Sequence, residues 1–278
     1  SFRRAAVITM SHENLAARAV AALLDELEVF PKPGLVSRVD AGAHRDMDHA
    51  LMTASALALA EPFRAIADAG ARGARFREVL VPLGIEAERA LARATGGGNT
   101  HRGAIFTLGL LVASAARAGV SGVRPGADDI RRTLLDAWGA DLRRHALAAD
   151  GSSHGGRVRQ TSGPGGVRDE ASAGFPLVFD LALPHLREAA DAGLAANAAR
   201  VETIFVLMRA AADTNVLYRG GESAAAHVRA SAENFLAAGG CRTTGWQARA
   251  EAVHRDFTAR NISPGGCADL LAAALFLD

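Results

Sequence analysis

Helical spacing with no sustained strand alternation is the feature that most narrows what this chain can fold into. Leu15, Ala19, Leu23 and Leu27 recur every fourth residue, and Ser11 is placed to cap the helix they define. Val201, Ile204, Phe205, Met208 and Ala211 repeat that spacing. Further helices are predicted at about 48–69, 76–94, 102–118, 127–148, 176–191, 223–238, 245–259 and 265–277. Gly70, Gly119 and Gly193 follow such segments and suit helix C-termini. Segment 102–118 is apolar on nearly every face, as expected of a helix at the centre of a bundle. Aromatic residues make up only 5% of the chain, which counts against a β-sandwich or barrel. The expected fold is all-α: a single-domain multi-helix bundle over residues 1–278 with glycine-rich active-site loops.

Charge and cysteine content exclude several functions. With 31 basic and 30 acidic residues the net charge is +1, without the positive excess of a nucleic-acid-binding protein or a polybasic membrane-surface protein. The most apolar stretch, 104–118, is shorter than the roughly 20 residues a membrane span needs. Cys241 and Cys267 form neither a disulfide framework nor a CxxC pair, and Ser1-Phe2-Arg3-Arg4 lacks the apolar run of a secretory signal. These features lead to the expectation of a soluble, reduced, cytoplasmic protein.

Polar, glycine-rich segments interrupt the helices at 28–48, 95–103, 150–176 and 260–269, and 213–221 closes a helix. Lys32, the only lysine, sits in the stiff turn Pro31-Lys32-Pro33-Gly34, from which an ammonium can meet a phosphate or simply be solvated. The run from Gly96 to Gly103 leads into the buried helix. Its backbone amides and helix dipole would favour an anion, with His101 and Arg102 as added donors, or it is merely a tight loop. His44, Asp46 and Asp48 fall within five positions. The two carboxylates suit magnesium bound with nucleotide phosphates, or either one caps the following helix. Arg168, Asp169 and Glu170, and Asp213 with Arg219, add charges that ion pairs and caps would also explain.

Six segments in order resemble the triphosphoribosyl-dephospho-coenzyme A synthase family: PKPGLV at 31–36, GAHRDMD at 42–48, NTHRGAIFTLGLL at 99–111, GVRDEASAGFP at 166–176, DTNVLYRGG at 213–221 and SPGGCADLLAAALF at 263–276. Together they span nearly the whole chain. Two departures stand out: Cys267 in place of a small residue, and Val29-Phe30 in place of a more polar pair before the PKPG turn. Neither removes a candidate catalytic group. The SSHGGRVR stretch and the short C-terminal segment resemble the malonate decarboxylase branch more than the citrate lyase branch.

The resemblance implies an all-α enzyme that transfers the triphosphoribosyl group of ATP to the 2′-hydroxyl of 3′-dephospho-coenzyme A and releases adenine. A β-linked nucleotide becoming an α-linked product implies inversion in a single displacement. Candidate phosphate contacts are Lys32, His101, Arg102, Arg168 and Arg219; the matched segments add Gly34, His44, Asn99, Thr100, Ser263 and Gly265 as substrate-binding candidates, and the glycine-rich loop before the third adds Gly97. Asp46 and Asp48 are the candidate magnesium ligands. Glu170 is the leading general base, with Glu28 its rival and Asp213 a further catalytic carboxylate. The implied partners are ATP, 3′-dephospho-coenzyme A, an acyl carrier protein with its prosthetic-group transferase, and a second copy in a homodimer. Two other readings use the same residues: a magnesium-dependent hydrolase of N-glycosidic or ADP-ribosyl bonds, and a non-catalytic nucleotide-binding helical protein.

Overall fold

A computed structural model describes residues 12–98, 100–148 and 165–278 of the chain. Among these every regular element is helical, as the spacing predicts. The helices are α1 (His12–Leu27), α2 (His49–Ala58), α3 (Ala60–Ala71), α4 (Val81–Thr95), α5 (Arg102–Ala118), α6 (Ala127–Leu147), α7 (Val167–Ser172), α8 (Leu183–Asp191), α9 (Ala196–Ala210), α10 (Thr214–Ala237), α11 (Trp246–Ala259) and α12 (Gly265–Leu277). Ser11 and the segment 149–164, with its SSHGGRVR run, lie outside the described residues.

Helix α5 is the axis of the bundle. Its residues from Thr107 to Ala116 are all buried, and α1, α3, α6 and α12 pack around it. Phe63 of α3 and Leu108 and Leu111 of α5 are fully enclosed, each such side chain contributing ~1.5–3 kcal/mol. The extended run Arg102–Ser121 is long and apolar enough to cross a membrane, as is His49–Ala71, which corrects the shorter span expected at 104–118. Two thirds of the former is buried within the bundle, which is the ordinary position of a core helix.

Prolines explain where the helices depart from expectation. The segment 48–69 is two helices that break at Leu59, because Pro62 has no N–H for the carbonyl of Ala58 and its ring crowds that carbonyl. At Pro82 and Pro184 the chain solves the same problem differently. A wide π-helical turn, Phe76–Leu80 or Leu177–Ala182, precedes each, shifting the hydrogen bonding just before the missing donor. The segment 213–221 opens a helix instead of closing one. Asp213 caps α10, and the helix bends at Gly221, whose φ of 64° and ψ of −163° lie outside helical space.

Gly70 is also not a helix terminator. It lies inside α3, where a Cβ would fall 2.3 Å from the carbonyl oxygen of Ala113 on α5. The crossing of α3 and α5 therefore requires its hydrogen side chain. Gly70→Ala is expected to destabilise the protein by ~1–3 kcal/mol, read as a lower midpoint with unchanged slope in urea unfolding.

Candidate active site

A cavity of about 900 Å³ opens where the N-termini of α5, α7, α10 and α12 converge with the loop after α1. That volume is at the upper end of small-molecule sites. Its wall takes residues from all six family-like segments, including Lys32, His44, Thr100, Glu170, Arg219 and Ser263.

The floor is charged and almost closed to solvent. Lys32 is 1% exposed; its ammonium donates to the carboxylate of Glu26 at 2.5 Å and to the Glu26 carbonyl at 2.8 Å. The proline-flanked turn thus folds the lysine under the loop, where it neutralises a buried acid, instead of displaying it as a free phosphate ligand. Gly34 is a shaping residue. Its φ is +66°, a Cβ there would lie 2.0 Å from the Ile262 carbonyl, and its N–H points to His254 Nδ1 at 3.3 Å. It is not part of the cavity wall.

Two further carboxylates meet this floor. Asp213 is 6% exposed and accepts from the N–H of Asn215 at 2.8 Å, Val216 at 3.4 Å and Cys267 at 3.0 Å. It therefore caps α10 and ties the first turn of α12 to it. Burial pushes its pKa above the usual carboxylate range against those three donors. Asp269, on α12, accepts from the N–H of Ala104 in the first turn of α5. Its carboxylate fits there because residue 103 is glycine: a Cβ at Gly103 would fall 2.0 Å from Asp269 Oδ2. The group that meets the N-terminus of α5 is thus a carboxyl of the protein itself.

Two imidazoles line the walls. His44 Nδ1 lies 3.2 Å from Arg219 Nη2, and since a guanidinium only donates, Nδ1 accepts. The ring proton then sits on Nε2, 2.7 Å from Ser263 Oγ. Burial, then Arg219, push the His44 pKa down to about 4, while Asp46 at 3.9 Å opposes the shift. His101 Nδ1 meets Ser55 Oγ at 2.7 Å, and that hydroxyl also meets Thr100 Oγ1 at 2.5 Å. Burial, then Lys32, push the His101 pKa down to about 4 as well. His101 Nε2 is buried at the cavity without a hydrogen-bond partner among the described residues.

The remaining candidates divide by position. Glu170, half-buried on the wall, accepts from Leu177 N–H at 3.0 Å, and burial holds its carboxyl above the usual range. Arg168, Gly265 and Asp46 also line the cavity, and Arg102 sits at its edge, 3.0 Å from Glu88. Glu28 does not line it. It is exposed and paired with His49 at 2.7 Å and Arg38 at 3.6 Å, which removes it as rival base. Asp48 also lies off the wall and caps α2 through Leu51 N–H at 2.9 Å, the alternative role its sequence context offered. Gly97 follows the C-terminus of α4 away from the cavity, its N–H bonded to Ala92. Asn99 lies outside the described residues. No group of three or more His, Cys, Asp or Glu with metal-binding geometry occurs among the described residues.

Sequence reasoning missed Glu26 and Asp269. Both leave a trace: Glu26 sits in the buried stripe of α1, and Asp269 is the lone charge in the apolar helix α12.

Comparison with known proteins agrees with these six segments. The model of the family ATP:dephospho-CoA triphosphoribosyl transferase matches residues 12–278. A relative from Pseudomonas paraeruginosa, named as a probable 2-(5″-triphosphoribosyl)-3′-dephosphocoenzyme-A synthase, is 45% identical over 96% of this chain and 90% of its own length. Relatives of the same name from Pseudomonas fluorescens and Azotobacter vinelandii are each 42% identical over 96% of this chain and 91% of theirs. No solved structure matches the chain.

Two outcomes follow from the buried groups. Lys32→Met is expected to cost ~3–5 kcal/mol by stranding the Glu26 carboxylate, and Glu26→Leu in the same chain is expected to recover most of it; denaturant unfolding of both variants checks this. The imidazoles of His44 and His101 are expected to titrate near pH 4 by NMR. Each stays neutral in the fold, so its contribution to stability is present above pH 6.5 and lost as the pH falls through 4. The stability of the protein relative to His101→Gln should accordingly fall across that window.

Proposed function

The chain belongs to the ATP:dephospho-CoA triphosphoribosyl transferase family, and on that footing we propose that the cavity carries out the transfer, with Glu170 as general base. The carrying observation is that all six family-like segments, scattered from residue 31 to residue 276, contribute to one wall. The reaction joins C1′ of the ATP ribose to the 2′-hydroxyl of 3′-dephospho-coenzyme A and releases adenine, leaving the phosphoanhydrides intact.

Arg168 and Arg219 supply fixed positive charge to the triphosphate or the coenzyme A diphosphate, and Arg102 does so from the edge. Ser263, Thr100 and the two neutral imidazoles add hydrogen-bonding groups without adding negative charge. Glu170 accepts the proton of the attacking hydroxyl. Its raised affinity for protons makes it a stronger base than a solvated carboxylate, and Leu177 N–H fixes its direction. Bond breaking at C1′ builds positive charge, which the negative floor stabilises. Lys32 acts from beneath by holding Glu26 in place.

Magnesium bound with the triphosphate would supply charge neutralisation and needs only one or two protein carboxylates. Asp46, 69% exposed on the wall, would hold it, whereas Asp48 is engaged as a helix cap. The product is the prosthetic-group precursor of a malonate decarboxylase acyl carrier protein, a reading that rests on the sequence resemblance to that branch.

Chromatography of reactions containing ATP, Mg²⁺ and 3′-dephospho-coenzyme A tests the transfer. Adenine is expected only when the coenzyme is present, with a heavier coenzyme product that serves as donor to the malonate decarboxylase carrier. Glu170→Gln is expected to lower turnover by ~10²–10⁴-fold with little change in the KM for ATP. Adenine from ATP alone would establish the hydrolase instead.

A further inference from the structure

The transfer releases adenine with the electron pair of the broken C1′–N9 bond, and adenine leaves far more readily when a ring nitrogen gains a proton as the bond breaks. Glu170 takes a proton from the attacking hydroxyl, so a separate group must hold one in advance. The three carboxylates of the floor are unequally compensated. Glu26 has the Lys32 ammonium, and Asp213 has three backbone N–H donors. Asp269 has the single N–H of Ala104, and no cation pairs with it among the described residues. Three carboxylates facing one ammonium in an enclosed space leave uncompensated negative charge, which a bound proton relieves.

We propose that Asp269 stands protonated at the cavity wall and is the acid that delivers this proton to the departing adenine. This rests on the transfer reading above. C1′–N9 breaks, its electron pair stays on adenine, and the Asp269 proton moves to a ring nitrogen. The C1′–O bond forms, and the hydroxyl proton passes to Glu170. Return of that proton to Asp269 through solvent closes the cycle, so the net result is one hydroxyl proton transferred to adenine.

The surroundings agree. Among the described residues, the groups that act on Asp269 carry negative charge or none, and the Lys32 ammonium is already engaged by Glu26. Asp213 faces it from the start of α10 and Glu26 from α1, while His101 before α5 is neutral and the Cys267 thiol on its own helix is held protonated by burial. Arg102, the nearest cation in sequence to the Ala104 donor, turns outward to Glu88. Burial first, then Glu26 and Asp213, hold the Asp269 carboxyl well above the usual carboxylate range. His101 Nε2, buried and unpartnered at the same cavity, marks a place where a polar ligand atom completes the wall.

The test compares the native enzyme with Asp269→Asn, which keeps the size and the acceptor for Ala104 N–H but carries no transferable proton. With ATP, the variant is expected to lose ~10²–10⁴-fold in kcat with a nearly unchanged KM. The alkaline limb of the native kcat profile, where the acid would lose its proton, should be missing from the variant. With 7-methyladenosine 5′-triphosphate, whose base departs without needing a proton, the variant should match the native enzyme. An alkaline limb that survives the substitution, or a native profile without one, overturns the proposal. Equal deficits of a folded variant on both nucleotides also overturn it. Absence of adenine release by the native enzyme would instead overturn the transfer reading, and that is seen before any variant is made.

Discussion

A buried lysine facing more acid than it can neutralise governs the architecture around the cavity. Removing charges from water is expensive, and the protein meets that cost with helix termini. Glu26 takes the Lys32 ammonium, Asp213 takes the amides that begin α10 and α12, and Asp269 takes an amide that begins α5. Asp213 and Asp269 thereby join segments far apart in the chain, while Glu26 and Lys32 close a local turn. The electrostatics that would make an isolated acidic floor unstable are what draw the helix N-termini together.

Close packing allows this convergence. Gly70 lets α3 reach the backbone of α5, Gly103 lets Asp269 reach the start of α5, and Gly34 lets the loop after α1 lie against Ile262. Arg219 adds a tie on the other side, donating to the Ala43 carbonyl at 3.3 Å and to Asn261 Oδ1 at 3.0 Å while it orients His44. The cavity is therefore bounded by rigid elements whose spacing is set at a few backbone contacts.

Much of this was legible before any coordinates. Helical spacing locates α5, α6, α11 and α12 closely, because a buried stripe depends on the residues of one segment alone. The five polar segments mark the cavity for a similar reason, since clustered glycine and charge are readable locally. Side-chain direction is another matter. Lys32 turns inward because of where Glu26 lies, and Glu28 turns outward because His49 and Arg38 receive it. Asp48 caps a helix, whereas Asp46, two residues earlier, faces the cavity. Local pattern is blind to such choices, which depend on tertiary neighbours. Glu26 and Asp269 were overlooked because an acid on an apolar helix face carries meaning only once its tertiary neighbours are known.

Helix α12 has a bearing on how the protein is born. It packs along α1, presents Asp269 to α5 and receives Asp213 from the start of α10, yet it is translated after all of them. While the ribosome is still making residues 265–277, the emerging chain has its lysine and two of its floor carboxylates but neither the third nor the Cys267 amide that Asp213 accepts. Domains generally fold as units, and here the cavity is completed by α12, which is made after every other helix that lines it. Until that helix docks, a nascent chain therefore lacks the part of the cavity wall that Gly265, Asp269 and Ala272 supply.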